Sequence, residues 1–517
     1  MFDGDLGGAL LAAAERHAER PALQAAGQRL TYAELFDSAA RIAAAIEKAG
    51  VPTGERVAIL CQRTPTAYAS VIGTLLAGCT YVPLNTQYSK QRNGAILGAA
   101  DAAALVLDEA SAVKLDEHLD VPASELVLVR PEAAGRSDDA AVHPEGAGAD
   151  FWRAHHRSVG RDGTAYVLFT SGTTGVPKGV PISHSNVAAY VAGLSAVEPL
   201  TSDDRLLHYV DLTFDISVHD MFMAWLNGAE LYVLPENAGW LAPRMISQNR
   251  ITSCFLVPSV AAYLLERRLA KAGAMPSLRV SYFCGEALPR TAAAGWSAAA
   301  PNSRIVNLYG PTEATVAFSY HEYDPEEDAE FSVVPIGKPL RDQRIALFDP
   351  GMVEAKPGEF GQICLSGSQV MAGYWRNPAV DAEKFATVDG VRWYKTGDLG
   401  RWIEPIGFVF AGRADRQVKL RGFLVELQEI EGLVRRLTGR QQVAVIAWPL
   451  RAPGSADGSV AFISGEEADA DEIRAGCRTL GGEVMTPDRI VFVPNLPVNS
   501  NGKVDYNVLA QHPSLSA

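Results

Sequence analysis

The chain contains no run of 18 apolar residues, so no membrane-spanning helix is expected. Its six cysteines, Cys61, Cys79, Cys254, Cys284, Cys364 and Cys477, are scattered, with no C-x-x-C pair. That argues against a zinc site or a disulfide framework and fits the reduced thiols of a cytoplasmic protein. Positive charge is scarce: 46 Lys and Arg face 60 Asp and Glu, a formal net charge of −14. Phosphate backbones are bound by Lys and Arg, so a nucleic-acid partner is not expected. No internal repeat is present. The N-terminus, Met1-Phe-Asp-Gly-Asp5, is acidic, and Glu15, Arg16 and His17 cut short the apolar Leu6 to Ala14. This pattern predicts an amphipathic first helix rather than a signal peptide.

What is present is an α/β pattern. A chain of 517 residues exceeds a single core, so two or more domains are expected. Helical patterns at Ala39 to Ala49 and Ala67 to Ala77 alternate with strands at Arg56 to Leu60, Thr80 to Pro83, Leu105 to Leu107 and Leu126 to Val129. Such alternation predicts parallel sheets with crossover helices. Pro131 to Gly163, rich in Ala, Gly, Asp and His, reads as a surface loop. The alternation resumes from Leu206 to Val316. Short strands with turn residues between them then predict a β-rich subdomain over about 330–411. A compact α+β pattern follows: helices at Glu426 to Thr438 and Asp471 to Leu480, strands at Val443 to Trp448, Val460 to Ser464 and Arg489 to Val493. The expected architecture is a large N-terminal α/β domain, 1–414, and a small, mobile C-terminal α+β domain, 415–517.

The densest motif is Tyr166-Val-Leu-Phe-Thr-Ser-Gly-Thr-Thr-Gly-Val-Pro-Lys-Gly179. A buried strand runs into a turn of Thr170, Ser171, Gly172, Thr173, Thr174 and Gly175, followed by Lys178. Hydroxyls and bare N–H groups in a glycine turn suit a polyphosphate, and Lys178 adds a point charge. It is not a Walker A loop, because Lys178 lies between Pro177 and Gly179. Tyr309-Gly-Pro-Thr-Glu313, Tyr394-Lys-Thr-Gly-Asp398, Gly412-Arg-Ala-Asp415 with Gln417-Val-Lys-Leu-Arg-Gly422, and Asn501-Gly-Lys503 follow in that order. Together these residues resemble the adenylate-forming superfamily, in particular the amino-acid adenylation enzymes of nonribosomal peptide synthesis. The resemblance extends from about Leu30 to Lys503.

The resemblance implies the chemistry. ATP and Mg²⁺ are the expected cofactors, since joining a carboxylate to an α-phosphate requires neutralising two anions. Lys503 would bridge the carboxylate and the α-phosphate. Tyr309 would stack on adenine, Thr312 would contact phosphate, and Glu313 would hold Mg²⁺. Asp398 would accept from the ribose hydroxyls, with Arg413 nearby. Asp415 would be the hinge about which the C-terminal domain turns between half-reactions. Gln417 to Gly422 would serve the second, thioester-forming step.

Phe214-Asp-Ile-Ser-Val-His-Asp-Met-Phe222 carries the substrate class. In amino-acid-activating relatives the Asp at this position pairs with the substrate ammonium, which assigns that role to Asp215. The family usually shows Trp-Glu where this chain has His219-Asp220. By register, Ile216, His219, Phe255, Tyr282, Cys284, Gly285, Leu308, Val316 and Ala317 complete the pocket. With Asp215 and Lys503 as its only charges and two aromatics and a histidine filling space, it should take a small uncharged side chain. Alanine is favoured, with glycine, serine and proline behind, and Phe283-Cys-Gly-Glu286 is similar also to D-alanine–carrier protein ligases. The expected acceptor is the phosphopantetheine thiol of a separate carrier protein, because no carrier-protein serine motif follows Lys503. A condensation-domain motif is absent too, since His155-His156 lies two residues too far from Asp162-Gly163. The alternatives are an acyl- or aryl-CoA ligase of the same fold, which Asp215 opposes, β-amino acid adenylation, and a non-catalytic adenylate sensor.

Overall fold

The computed structural model describes residues 4–119, 126–131, 148–170, 177–413, 417–440, 442–497 and 504–515. Among these, the strands form five sheets. The nine-stranded sheet has a parallel centre in the spatial order Arg304–Tyr309, Val280–Phe283, Ser253–Leu256, Arg205–His208, Glu230–Val233, Pro21–Ala25. Antiparallel strands close both edges. The six-stranded sheet runs Val127–Val129, Ala104–Leu107, Arg56–Leu60, Thr80–Pro83, Thr164–Thr170 and Lys178–Ser183, with only the last antiparallel.

The central strands are apolar on both faces, because alternate residues point to opposite sides and both sides are covered. Phe255, Tyr282, Val306 and Leu308 face a core shared by the two sheets and the helices Tyr32–Lys48 and Ile216–Leu226. Cys254, Leu256, Phe283 and Ile305 face a second core, with Ala261 of the helix Pro258–Glu266 and Trp296 of the helix Arg290–Ala299.

The antiparallel third sheet comprises Gln343–Phe348, Phe360–Gly367, Phe385–Val388, Val391–Ile403 and Gly407–Arg413. Beyond it lies the hairpin Gln417–Leu420 and Phe423–Glu426. Next comes a sheet of Val443–Ala447, Ser459–Ser464 and Arg489–Val493, packed with the helices Leu427–Thr438 and Ala470–Gly481.

Two elements differ from the sequence reading. The helix expected from Ala39 begins at Tyr32, because Thr31 and Glu34 form a reciprocal capping box at its N-terminus. The stretch read as a surface loop contains the helix Gly148–Ala154, anchored by the buried Trp152, whose Nε1–H donates to Asp37 Oδ1 at 2.6 Å. The following His155 and His156 contact Glu47 and Asp5, both at 3.0 Å, and tie this segment to the N-terminal helices. No helix among the described residues is long and apolar enough to cross a membrane.

Candidate active site

In open parallel sheets, ligands bind outside the carboxyl ends of the strands. Here a cavity of about 850 Å³ lies at those ends. Its wall takes Tyr209 to Phe214 apart from Leu212, Val257, Cys284 to Ala287, and Leu308 to Glu313, each at or beyond the end of a strand of the nine-stranded sheet. Phe169 and Thr170 enter from the six-stranded sheet, and Lys419 to Phe423 from the C-terminal hairpin. Gly285 takes φ +90°, a conformation open to glycine but strained for other residues. A Cβ on Gly310 would lie 2.7 Å from Ala317 Cα, so the chain can turn back this tightly only with glycine there.

Asp215 stands at the start of the helix Ile216–Leu226 without capping it, and it lines the cavity. Burial raises its pKa against the opposing pull of the Thr312 hydroxyl, the Lys419 charge and the Ile216 N–H. Also on the cavity wall, Tyr309 donates to Asp398 Oδ2 at 2.6 Å, and Arg413 Nη1 donates to Asp398 Oδ1 at 2.5 Å. A carboxylate oxygen can accept more than one hydrogen bond, which suits the two hydroxyls of a diol. Glu313 Oε1 accepts the Tyr374 hydroxyl at 2.6 Å, and that hydroxyl lies 3.2 Å from the Tyr394 hydroxyl. Lys178 opens the strand that pairs with Thr170. Ser171, Gly172, Thr173, Thr174, Asp415 and Lys503 lie outside the described residues.

Likeness to known proteins decides the family. Residues 10–375 match the AMP-binding enzyme family, and residues 429–503 match the AMP-binding enzyme C-terminal domain. The chain is an AMP-binding enzyme. It is 31% identical over 504 residues to one of the plipastatin synthase subunits of Bacillus subtilis, covering 95% of this chain and 18% of that protein. The chain thus spans less than a fifth of that relative's length. It is also 30% identical over 510 residues to tyrocidine synthase 1 of Brevibacillus parabrevis, covering 98% of this chain and 44% of that protein. Among solved structures, it is similar to the Vibrio cholerae adenylation domain AlmE in complex with glycyl-adenosine-5'-phosphate. The TM-score is 0.88 and the identity 30%, covering 99% of this chain and 98% of that one.

The pocket of this AMP-binding enzyme departs from the sequence reading in two respects. Of the residues assigned by register, Ile216, Cys284, Gly285, Leu308 and Val316 line the cavity with Asp215. His219, Phe255, Tyr282 and Ala317 do not; they are buried behind the wall. The reason is packing. His219 meets Phe255 edge-on at 4.7 Å and Tyr282 at 5.2 Å between ring centroids, and the three rings fill the floor themselves. Second, Lys419 joins Asp215 on the cavity wall, a cation beside that carboxyl that the register did not supply.

Sequence reasoning also missed the support behind the wall. Thr315 and Val316 adopt φ +58° and +67°, strained values for β-branched residues. The fully buried Gln369 clamps them: its Nε2 donates to Ala317 O at 2.7 Å, and its backbone carbonyl accepts the Thr315 hydroxyl at 2.7 Å. Cys284 Sγ–H points to Val316 O at 3.9 Å, and burial pushes the Cys284 thiol up to about 12. The positive φ values of non-glycine residues leave no sequence signature, and Gln369 is 52 residues or more in the chain from the segment it clamps.

Proposed function

We propose that the enzyme activates the smallest amino acids, glycine ahead of alanine, as aminoacyl-AMP and passes the aminoacyl group to the thiol of a carrier protein. In the first step a carboxylate oxygen of the substrate attacks the α-phosphorus of ATP, and the bond to pyrophosphate breaks. In the second, a thiolate sulfur attacks the acyl carbon and AMP leaves. The observation that carries this reading is Asp215, a carboxyl held on the cavity wall with Ile216, Cys284 and Val316. A buried carboxylate is costly unless a cation meets it. Burial still outweighs the nearby Lys419 charge, so a further cation is favoured there; a substrate ammonium supplies it, whereas a fatty or aryl acid does not.

The closed floor of His219, Phe255 and Tyr282 supports the small side chain, and so does the glycyl adenylate bound by AlmE. This shifts the preference from alanine toward glycine. Tyr309, Asp398 and Arg413 form the nucleoside end, with Thr312 toward the phosphates. Magnesium commonly binds one or two carboxylates plus substrate phosphates. Glu313, oriented by Tyr374, fits that set, and no cluster of three metal-ligating side chains occurs among the described residues. Mg²⁺ there would neutralise charge on the phosphates as the bond to pyrophosphate breaks.

Amino-acid-dependent ATP–pyrophosphate exchange across the standard amino acids and propionate tests the reading. Glycine and alanine should exceed the rest, and propionate should be a poor substrate. Propionate activated as well as alanine would transfer the assignment to the acyl-CoA ligases. Supplying holo carrier protein or coenzyme A to the preformed adenylate then identifies the acceptor, with turnover expected on the carrier.

A further inference from the structure

The floor of the pocket is held from outside. Tyr190, on the helix His184–Val197, is fully buried and absent from the cavity wall. Its hydroxyl lies 2.7 Å from His219 Nδ1. That helix is fixed at its N-terminus by a capping box of Ser183 and Asn186, and Asn186 Nδ2 also donates to Ser368 O at 2.7 Å. The platform under Tyr190 is therefore stiff. His219 stands one helical turn beyond Asp215, and its N–H reaches Asp215 O at 3.4 Å. Residues four apart in a helix share a face, so His219 underlies the carboxylate that marks the substrate's amine.

The His219 ring is the hub of this floor. It contacts Tyr190 at 6.1 Å, Phe255 at 4.7 Å and Tyr282 at 5.2 Å, always edge-on. Phe255 and Tyr282 are direct cross-strand neighbours, and the sheet fixes their backbones. The imidazole can rotate about its own side-chain bonds, and the Tyr190 hydroxyl is what holds its Nδ1. A turned ring would leave Nδ1 buried without that partner, which costs free energy. Burial lowers the His219 pKa to about 3, so the ring is neutral. The neutral ring keeps this bond in either tautomer, since a tyrosine hydroxyl both donates and accepts.

We propose that Tyr190 sets the size limit of the substrate side chain by locking the His219 ring where it closes the pocket floor. Tyr190 is a positioning residue: it acts through His219 and touches no substrate. This role rests on the amino-acid reading above and adds to it a determinant that lies outside the pocket lining.

The test compares wild-type, Tyr190→Phe, His219→Ala and the double variant. kcat and KM are measured by ATP–pyrophosphate exchange with glycine, L-alanine and L-valine. One methylene of pocket space is worth ~10-fold or more in discrimination. Tyr190→Phe should therefore lower the glycine-to-valine ratio of kcat/KM by about 10-fold, through a lower KM for valine. His219→Ala should relax the ratio at least as far, and adding Tyr190→Phe to it should change nothing further, since both act on one ring. Equal changes for all three amino acids, or additive effects in the double variant, would overturn the lock. A melting curve for each variant establishes that the fold is retained, and should Tyr190→Phe not fold, His219→Phe, which removes the same bond from its other side, should lower the ratio in its place. Wild-type enzyme that prefers valine or propionate overturns the substrate reading itself. Wild-type preference for glycine with an unaltered ratio in Tyr190→Phe overturns the role of Tyr190 alone.

Discussion

Asp215 is a carboxyl that burial makes reluctant to ionise even with Lys419 nearby. Its folded pKa is raised, chiefly by burial. A raised pKa favours the protonated form, so the stability it contributes is present below the unfolded value and lost as pH rises through the folded one. Asp215→Asn should therefore raise the melting temperature of the substrate-free enzyme at neutral pH, with the gain vanishing under acid conditions. On the proposed function, the substrate ammonium in contrast needs the carboxylate. The substrate's KM should climb as pH falls, starting at a higher pH than an ordinary aspartate would set, and Asp215→Asn should lose ~100-fold in kcat/KM, the scale of breaking a buried ion pair. A KM that is flat with pH would separate Asp215 from the amine. Tyr282 offers a contrast at the same scale. Its buried hydroxyl has no hydrogen-bond partner among the described residues. Deleting an unsatisfied group removes its desolvation cost, so Tyr282→Phe should raise the melting temperature where most core substitutions lower it.

The elements that support the site differ in how far the sequence reveals them. The strand Arg489–Val493 and the helix Leu427–Thr438 coincide with their apolar patterns to within a residue, because alternate strand residues face two cores and one face of the helix packs on the first of them. The strand Val391–Ile403 falls within the expected β-rich subdomain, but its length is not legible in the sequence. Gly397 at φ +82° and an irregular register between Leu399 and Gly400 interrupt its alternation, and that break delivers Asp398 to the cavity. The capping box at Thr31 was in the sequence and marks the true start of its helix. The strained Thr315–Val316 segment was not, since its conformation depends on Gln369 from beyond a distant strand end. Gln369→Ala should strip Ala317 O of its donor and destabilise the fold by about 2 kcal/mol. Thermal unfolding should show a fall of roughly 2 °C. The damage should be local in function: KM should rise for ATP, because Glu313, just N-terminal to the clamped segment, is anchored two residues beyond Gln369, where Met371 N–H donates to Glu313 O at 2.9 Å. An unchanged melting temperature would show that the segment holds its strained shape unaided.

At the scale of the whole molecule, the C-terminal hairpin occupies one side of the cavity. Phe423 packs edge-on against Phe214 at 4.9 Å, and Gly422 faces Val257. Lys419 is near enough for its charge to act on both Asp215 and Cys284. The ion pair Arg451 to Glu266, at 2.9 Å, spans the same boundary on the exposed surface, where such pairs contribute little. Contacts of this kind can be exchanged, which a domain that turns between two half-reactions requires. Lys419 and Lys503 should then serve different steps, each present when its own face meets the cavity. Lys503→Ala should reduce pyrophosphate exchange by ~100-fold, the scale of one preorganised electrostatic contact, while sparing thioester formation from supplied adenylate. Lys419→Ala should do the reverse. Asp415→Pro, which fixes φ at the expected hinge, should preserve one half-reaction and abolish the other. Lys419→Ala and Lys503→Ala that each impair both steps alike would mean that a single orientation performs the whole reaction.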